Sequence, residues 1–183
     1  MARTRVNPDV KVRIASPNKS SRVGATPTLI VLHATVSHNR KGLSDLQAIG
    51  NYFRGPVDAS SHVCVDNEAH SARYVPDGEK AWHCAAYNRM SLGVEQILMA
   101  DGTEITNAMY RETGRWIAYW NEKFGIPIQV GAVSGGIVIR RGVLFHSQLG
   151  SLGGGHADPG RGYSMNKALQ AARFYKEIRR RRR

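Results

Sequence analysis

Hydrophobic and polar positions along the chain follow two periods, and these predict strands and helices within one domain. A β-branched run after Pro27, residues 28–33, predicts a short buried strand. Apolar residues three and four apart predict helices over 43–53, 104–124 and 165–179. Further strand candidates, in chain order, are 61–65, 72–75, 91–98 and 136–145, the last as one strand or a tight hairpin through 140–142.

The order of these elements predicts an α/β (α+β) fold with a single central sheet flanked by helices. Hairpin-like segments within it favour a mixed sheet over a purely parallel one. Residues 1–27 are polar and contain three prolines, so they are expected to be a loosely attached arm. The predicted organisation is therefore a basic arm over 1–25, a folded domain over 26–175 and an Arg-rich tail over 176–183.

Length and composition narrow the class of protein. A chain of 183 residues suffices for one hydrophobic core. No apolar run reaches the roughly 18 residues that span a bilayer, and none follows the basic start as in a secretory signal. Synthesis in the cytoplasm is therefore expected. Cys64 and Cys84 lack metal-ribbon spacing, and either one disulfide or two reduced thiols remains open.

The formal charge of +12 suggests a polyanionic partner such as nucleic acid, an anionic membrane or a wall polymer. That charge lies at the two ends of the chain. Residues 1–22 hold six basic side chains against one acidic, and residues 173–183 hold seven against one. The body between them is nearly neutral and has no basic stripe with interleaved aromatics, so specific nucleic-acid binding ranks last among the candidate functions.

Three side chains are candidate metal ligands. His33 closes the first predicted strand, His146 closes the last, and Asp158 follows a Gly-rich loop. Strand ends present side chains to a cleft with little freedom. Two imidazoles and one carboxylate, with a fourth position open, make the ligand pattern of a catalytic zinc ion.

Five segments in collinear order resemble one family. They are Val31-Leu32-His33-Ala34-Thr35, Ser60-Ser61-His62-Val63-Cys64-Val65-Asp66, Tyr74-Val75-Pro76 with Ala81-Trp82-His83, Asn88 with Ser91-Leu92-Gly93-Val94-Glu95, and Phe145-His146 with His156-Ala157-Asp158-Pro159-Gly160. Together they are similar to the zinc-dependent N-acetylmuramoyl-L-alanine amidases, which include phage lysins, muropeptide-recycling amidases and peptidoglycan-recognition proteins. The resemblance covers roughly residues 26–175.

The resemblance implies Zn²⁺ held by His33, His146 and Asp158. It also implies Glu95 as general base and acid, and His156 where other members place a polar group facing the scissile carbonyl. Ser61 stands where several members have a catalytic tyrosine.

Physical chemistry supports these roles independently. Glu95 interrupts an apolar strand, where a carboxylate needs a partner or a purpose. A donor such as His156 beside the carbonyl oxygen would stabilise developing negative charge. Three lesser candidates, His62, His83 and Asn88, are assigned as substrate contacts, although core packing is the simpler interpretation of His62.

The expected protein is a monomeric peptidoglycan hydrolase that cleaves the bond between N-acetylmuramic acid and L-alanine. A phage endolysin is the leading form, released to the wall by a membrane-permeabilising partner. Its basic ends would adhere to anionic wall polymers or lipid head groups. The alternatives are a cytosolic muropeptide-recycling amidase and a non-catalytic peptidoglycan-binding module.

Overall fold

The structure, a computed structural model, describes residues 5–40, 42–99, 101 and 104–182. Three α-helices lie in these residues: α1 (Leu43–Arg54), α2 (Asn107–Phe124) and α3 (Met165–Arg180). The strands described there are β1 (Val10–Arg13), β2 (Lys19–Ser21), β3 (Leu29–Ala34), β4 (Val63–Val65), β5 (Ser71–Arg73), β6 (Glu79–Ala81), β7 (Ser91–Gln96), β8 (Ala132–Ser134), β9 (Ile137–Arg140) and β10 (Gly142–Phe145). Two 3₁₀ segments span Ala85–Met90 and His146–Gly153.

Six of the strands form a mixed sheet in the spatial order β1-β5-β4-β7-β3-β10. Neighbouring strands run parallel except β4 and β5, which are antiparallel across a turn that begins at Asp66. The predicted mixed α/β sheet flanked by helices is therefore confirmed. Two small antiparallel ribbons, β2–β6 and β8–β9, lie beside it.

The two faces of the sheet are covered unequally. On one face α2 and α3 pack together over the alternate residues of the central strands, such as Leu32 and Val94. On the other face α1 packs mainly against β1, β5 and β4, where Leu46 and Phe53 pack against Cys64. The same face of β7 and β3 is left uncovered by α1, and this gap becomes the floor of a cleft.

Local signals in the sequence account for the limits of α2. The Thr106 side chain accepts a hydrogen bond from the Met109 N–H, as an N-cap does. Gly125 then ends the helix in the left-handed conformation, with φ of 69°. Between these ends Trp116 and Trp120 are buried in the core, as their helical spacing predicts. No helix within the described residues is long and apolar enough to cross a membrane.

Over residues 5–27 the N-terminal segment differs from the loose arm expected over 1–27, whose first four residues lie outside the described part of the chain. Strand β1 is an edge of the main sheet and pairs with β5, and β2 pairs with β6. The Arg22 guanidinium is buried and donates to the main-chain oxygens of Asp77, Arg89 and Ser91. Arg22 in this segment therefore serves the fold, because its buried guanidinium donates to backbone oxygens of three other segments.

Both alternatives for residues 136–145, one strand or a tight hairpin through 140–142, are wrong. Strands β9 and β10 are consecutive but do not pair: β9 pairs with β8, and β10 joins the main sheet beside β3. The real hairpin turn is Gly135-Gly136, with φ of 54° and 78°. Two successive positive φ values are what a two-residue hairpin loop requires, and glycine adopts them without strain.

Candidate metal centre and active-site cleft

The cleft over β3 and β7 has a volume of about 640 Å³, within the usual range for ligand sites. One wall is α1, and the opposite wall is the segment after β10. His33 and Glu95 are in register on the neighbouring strands β3 and β7, and both side chains line the cleft. Its other polar lining residues include Asp58, Ser60, His83, Asn88, His146, His156 and Asp158.

His33, His146 and Asp158 meet at one end of this cleft. Phe145 lies opposite Leu32 in the parallel β3–β10 pair, so the next residues, His146 and His33, emerge side by side. The His33 Nδ1 atom is 3.0 Å from His146 Nδ1 and 3.3 Å from Asp158 Oδ2. His146 Nδ1 is 3.0 Å from Asp158 Oδ1. The structure thus brings together the three predicted ligands.

The chemistry of these three donor atoms suits a divalent cation. His146 Nε2 lies 2.8 Å from the Gly153 oxygen, which can only accept, so the His146 proton is on Nε2 and its Nδ1 lone pair faces the cluster. Ligands at zinc-like bond lengths in a tetrahedral site lie about 3.3 Å apart. The observed separations of 3.0–3.3 Å are close to that value. This cluster can therefore hold a metal ion.

The electrostatics keep the metal-binding forms of His33 and Asp158 available near neutral pH. Burial lowers the pKa of His33 to about 4, which keeps this imidazole neutral. For Asp158, burial acts to raise the pKa, but hydrogen bonding to His146 and His33 outweighs it and the net pKa is lowered. Neutral imidazoles and an ionised carboxylate are the forms that ligate metals.

Glu95 lies beside the cluster in a less polar setting. Burial raises its pKa to about 8, and the negative charge of Asp158 adds to the rise. A carboxyl group with its pKa near neutral can both accept and release a proton at working pH.

The raised pKa of Glu95 predicts how the stability of the metal-free protein depends on pH. The pKa of Glu95 is about 8 in the folded protein, against an ordinary value of 4.5, so between these pH values the folded state binds more protons than the unfolded state. The contribution of Glu95 to the free energy of unfolding therefore falls as pH rises from about 4.5 to 8. In chelator, Glu95→Gln should therefore raise Tm relative to the native protein at pH 8 and much less at pH 4.5. The measurement is thermal unfolding by circular dichroism across this range.

The control for that measurement is Asp58→Asn, which neutralises an exposed carboxylate. Its Tm difference from the native protein should change little with pH. A Tm difference for Glu95→Gln that is the same at pH 4.5 and pH 8 would contradict the prediction.

His156 stands at the exposed rim of the cleft. Its ring stacks on His146, with the ring centroids 4.5 Å apart and the planes 18° from parallel. Gly154, at φ of 106°, passes under this ring, and a Cβ there would come within 3.0 Å of it. The position is open to a ligand in the cleft and adjoins the three donor atoms.

The assignment of His62 as a substrate contact is wrong. Its side chain is fully buried, lies behind the cleft and does not line it. The Gly93 N–H donates to its Nδ1, and Arg22 Nη2 lies 2.8 Å from its Nε2. Burial, followed by the charge of Arg22, lowers the pKa of His62 to about 3. His62 is a core residue that links Arg22 to β7.

His83 and Asn88 do line the cleft, and both have structural partners. Asn88 Oδ1 accepts from the backbone N–H groups of His83 and Cys84, which shapes the turn that carries them. His83 Nδ1 lies 2.9 Å from His33 Nε2. Sequence reasoning missed this contact, since 50 residues separate the two histidines. Cys64 and Cys84 are both free and buried.

Comparison with known proteins identifies the family of this fold. A family profile described as N-acetylmuramoyl-L-alanine amidase matches residues 23–161, which include all three clustered donors and Glu95. The chain belongs to this amidase family. No curated protein sequence matches it closely enough to count as a relative.

Solved structures show how widely the amidase fold extends along the chain. The hydrolase AmiA from Staphylococcus aureus, in complex with its ligand, is 18% identical with a TM-score of 0.72, covering 95% of this chain and 86% of AmiA. An AmpD derivative is 18% identical with a TM-score of 0.66, covering 93% and 99%. The N-acetylmuramoyl-L-alanine amidase LysC from Clostridium intestinale is 15% identical with a TM-score of 0.61, covering 87% and 94%. At these identities the likeness is one of fold.

Proposed function

We propose that this amidase is a zinc-dependent peptidoglycan hydrolase that cleaves the amide between the lactyl group of N-acetylmuramic acid and the L-alanine of the stem peptide. The observation that carries the proposal is the convergence of His33, His146 and Asp158 within 3.3 Å of one another, beside Glu95 in an open cleft. A binding module needs neither the three donors nor a carboxyl group with its pKa near 8.

In this proposal His33 Nδ1, His146 Nδ1 and Asp158 hold the zinc ion. When bound, zinc supplies Lewis acidity to the scissile carbonyl and to the attacking water. Glu95 takes the proton of the water and passes it to the leaving amine, a role worth roughly 10²–10⁴-fold in rate. His156, on the rim, donates a hydrogen bond to the carbonyl oxygen as negative charge develops. Ser61 is fully buried, so the proton transfers rest on Glu95.

The remaining cleft surface suits a glycopeptide. Tyr52 on α1 is 57% exposed, and Trp82 lines the same cleft. Aromatic side chains of this kind provide apolar faces with few rotatable bonds. Asn88 extends the polar side of the wall, and we assign it to the part of the cleft that receives the substrate.

Purified protein incubated with peptidoglycan tests the reaction. Hydrolysis at the proposed bond releases new alanine N-termini, and a chelator should abolish that release. Restoring zinc should recover it. Release of reducing sugars alone, or no product from a zinc-loaded preparation, would overturn the amidase proposal.

Within this activity we propose an endolysin that acts on the intact wall. The fold neighbours include an amidase described as an endolysin, LysCS from Clostridium intestinale, with a TM-score of 0.61. The alternative is a recycling amidase for soluble muropeptides. Activity on intact sacculi favours the endolysin, and activity on soluble fragments with none on sacculi favours recycling.

We further propose that the basic end of α3 holds the enzyme to anionic wall polymers or lipid head groups. Arg179 serves the fold, because it pairs with Glu122 at 2.6 Å and is only 14% exposed. Arg180 and Arg181 pair with Glu177 on the surface and are each 73% exposed. We therefore assign the binding of anionic surfaces to Arg180, Arg181 and Arg182, and not to Arg179.

Replacing Arg180, Arg181 and Arg182 with glutamine should weaken low-salt wall binding by roughly ten- to a hundredfold, since a basic residue near an anionic surface contributes about 1 kcal/mol. Hydrolysis of a small soluble muramyl peptide should be unchanged. The matched control replaces the same three residues with lysine and should bind as the native protein does. Co-sedimentation with walls at several salt concentrations measures this, and equal loss of binding and hydrolysis would refute it.

A further inference from the structure

We propose that His83 is a positioning residue that holds the ligand His33 in its metal-binding tautomer through a hydrogen-bonded chain ending at Ser91. The inference rests on the metal site of the proposed function. It assigns His83 a role in that site without direct contact with the metal.

The first step concerns the proton on His33. Its Nδ1 faces His146 and Asp158, so metal binding needs the lone pair on Nδ1 and places the proton on Nε2. That Nε2 atom is buried and lies 2.9 Å from His83 Nδ1. In the metal-binding form, His33 Nε2–H therefore donates to His83 Nδ1.

The direction of the remaining hydrogen bonds follows from that one. A neutral His83 that accepts at Nδ1 carries its own proton on Nε2, which lies 3.0 Å from Ser91 Oγ. The Ser91 hydroxyl in turn donates to the Tyr87 main-chain oxygen at 2.8 Å, and that oxygen can only accept. Every donor in this series of hydrogen bonds thus has an acceptor. Because the Tyr87 oxygen can only accept, it fixes the direction of each bond back to His33.

The packing around His83 keeps the chain in place. A Cβ on Gly93 would lie 2.8 Å from His83 Nδ1 and 2.7 Å from Ser61 Oγ, closer than side chains pack. Glycine at this point of β7 leaves room for the His83 ring to lie close to the strand, in the position from which it contacts His33. The missing side chain at position 93 is therefore part of the site.

Outer partners of metal-ligating histidines raise their basicity and fix their orientation, and losing one typically costs roughly 10–100-fold in metal affinity. His146 has such a partner in the Gly153 oxygen. His83 is the equivalent outer partner of His33. It accepts through Nδ1 of a neutral imidazole, and the bond from its Nε2–H to Ser91 keeps Nδ1 free to accept.

Two substitutions of His83 separate this role from simple packing. His83→Asn places an amide oxygen near the position of Nδ1 and can still accept from His33. His83→Gln places its amide near Nε2, so it keeps the Ser91 contact and loses the one to His33. Zinc affinity, measured by competition with a chromophoric chelator, should stay within about threefold for His83→Asn and fall roughly 10–100-fold for His83→Gln.

Gly93→Ala, which crowds His83, should lower zinc affinity as His83→Gln does. The matched control is Gly78→Ala, where a Cβ would meet nothing within 4 Å. If a His83 variant fails to fold, Ser91→Ala tests the same hydrogen bonds without changing His83. It removes the acceptor of His83 Nε2–H and should give a smaller loss of zinc affinity, of roughly threefold to tenfold.

Native zinc affinity in both His83 variants would overturn the inference, as would an equal loss in the two. A raised KM at saturating zinc with unchanged zinc affinity would also overturn it, because that result marks a substrate contact. Failure of the proposed function itself is distinguishable, since the native protein would then bind no zinc, or would bind it and hydrolyse nothing.

Discussion

Replacing Asp158 with alanine should remove the metal from the protein and with it all amidase activity. Asp158 is the only carboxylate of the three converging donors, and its charge offsets that of the cation. Loss of an outer partner alone costs roughly 10–100-fold in metal affinity, so loss of this ligand should cost more than about 100-fold. Elemental analysis after gel filtration should find less than a tenth of the native zinc content.

Two matched variants sharpen that experiment. Asp158→Asn keeps an oxygen able to accept from the Ala34 N–H, as Asp158 Oδ2 does at 3.2 Å, but carries no charge. It should lose zinc nearly as fully as the alanine variant, because the charge is what matters. Asp58→Asn neutralises an exposed carboxylate in the same cleft and should keep its zinc. Full zinc occupancy and turnover in Asp158→Ala would eliminate the site as described.

Replacing Glu95 with glutamine should greatly lower turnover without removing zinc from the protein. Zinc content should stay at the native level, because Glu95 belongs to the neighbouring strand and not to the donor cluster. The kcat on a soluble muramyl peptide should fall roughly 10²–10⁴-fold, the usual contribution of a general base and acid. KM should change little, since glutamine has nearly the shape of the protonated side chain.

Glu68→Gln is the control for that experiment, because Glu68 is exposed and does not line the cleft. Its kcat should equal that of the native enzyme. If the kcat of Glu95→Gln is within about threefold of the native value, another group must be the general base and acid. Loss of zinc in Glu95→Gln would instead make Glu95 part of the metal site.

The metal cluster could be predicted from the sequence because its members follow recognisable strands. His33 and His146 each come at the end of an apolar run, and parallel neighbouring strands bring their carboxyl ends to one edge of the sheet. The family resemblance placed Asp158 with them. The structure agrees, since the three donor atoms meet within 3.3 Å.

Strand pairing was predicted less well than strand position. The run 136–145 has the composition of strands throughout, but its halves belong to different sheets. The Gly135-Gly136 pair was a usable hairpin signal that indicated pairing of β9 with the preceding strand. For β1 no such local signal exists, because its partner β5 lies some 60 residues away and pairing across that distance leaves no local pattern.

The histidines show most clearly that contacts between residues far apart in sequence were not predicted. His62 and His83 both belong to family-like segments, and both were assigned to the substrate. The structure buries His62 against Arg22, which lies in the segment expected to be a loose arm. It places His83 against His33. Neither partner is near in sequence, so neither contact could be read from spacing.

The sequence by itself determined the period of each helix, the apolar strands, and the side chains able to bind a metal or move a proton. These properties follow from local polarity and from the chemistry of individual residues. Only the tertiary structure decided that His62 is a core residue, that His83 contacts His33, and that the basic N-terminal segment is part of the sheet. Those outcomes depend on distances of about 3 Å between residues far apart in the chain, and such distances are set by packing of the whole domain.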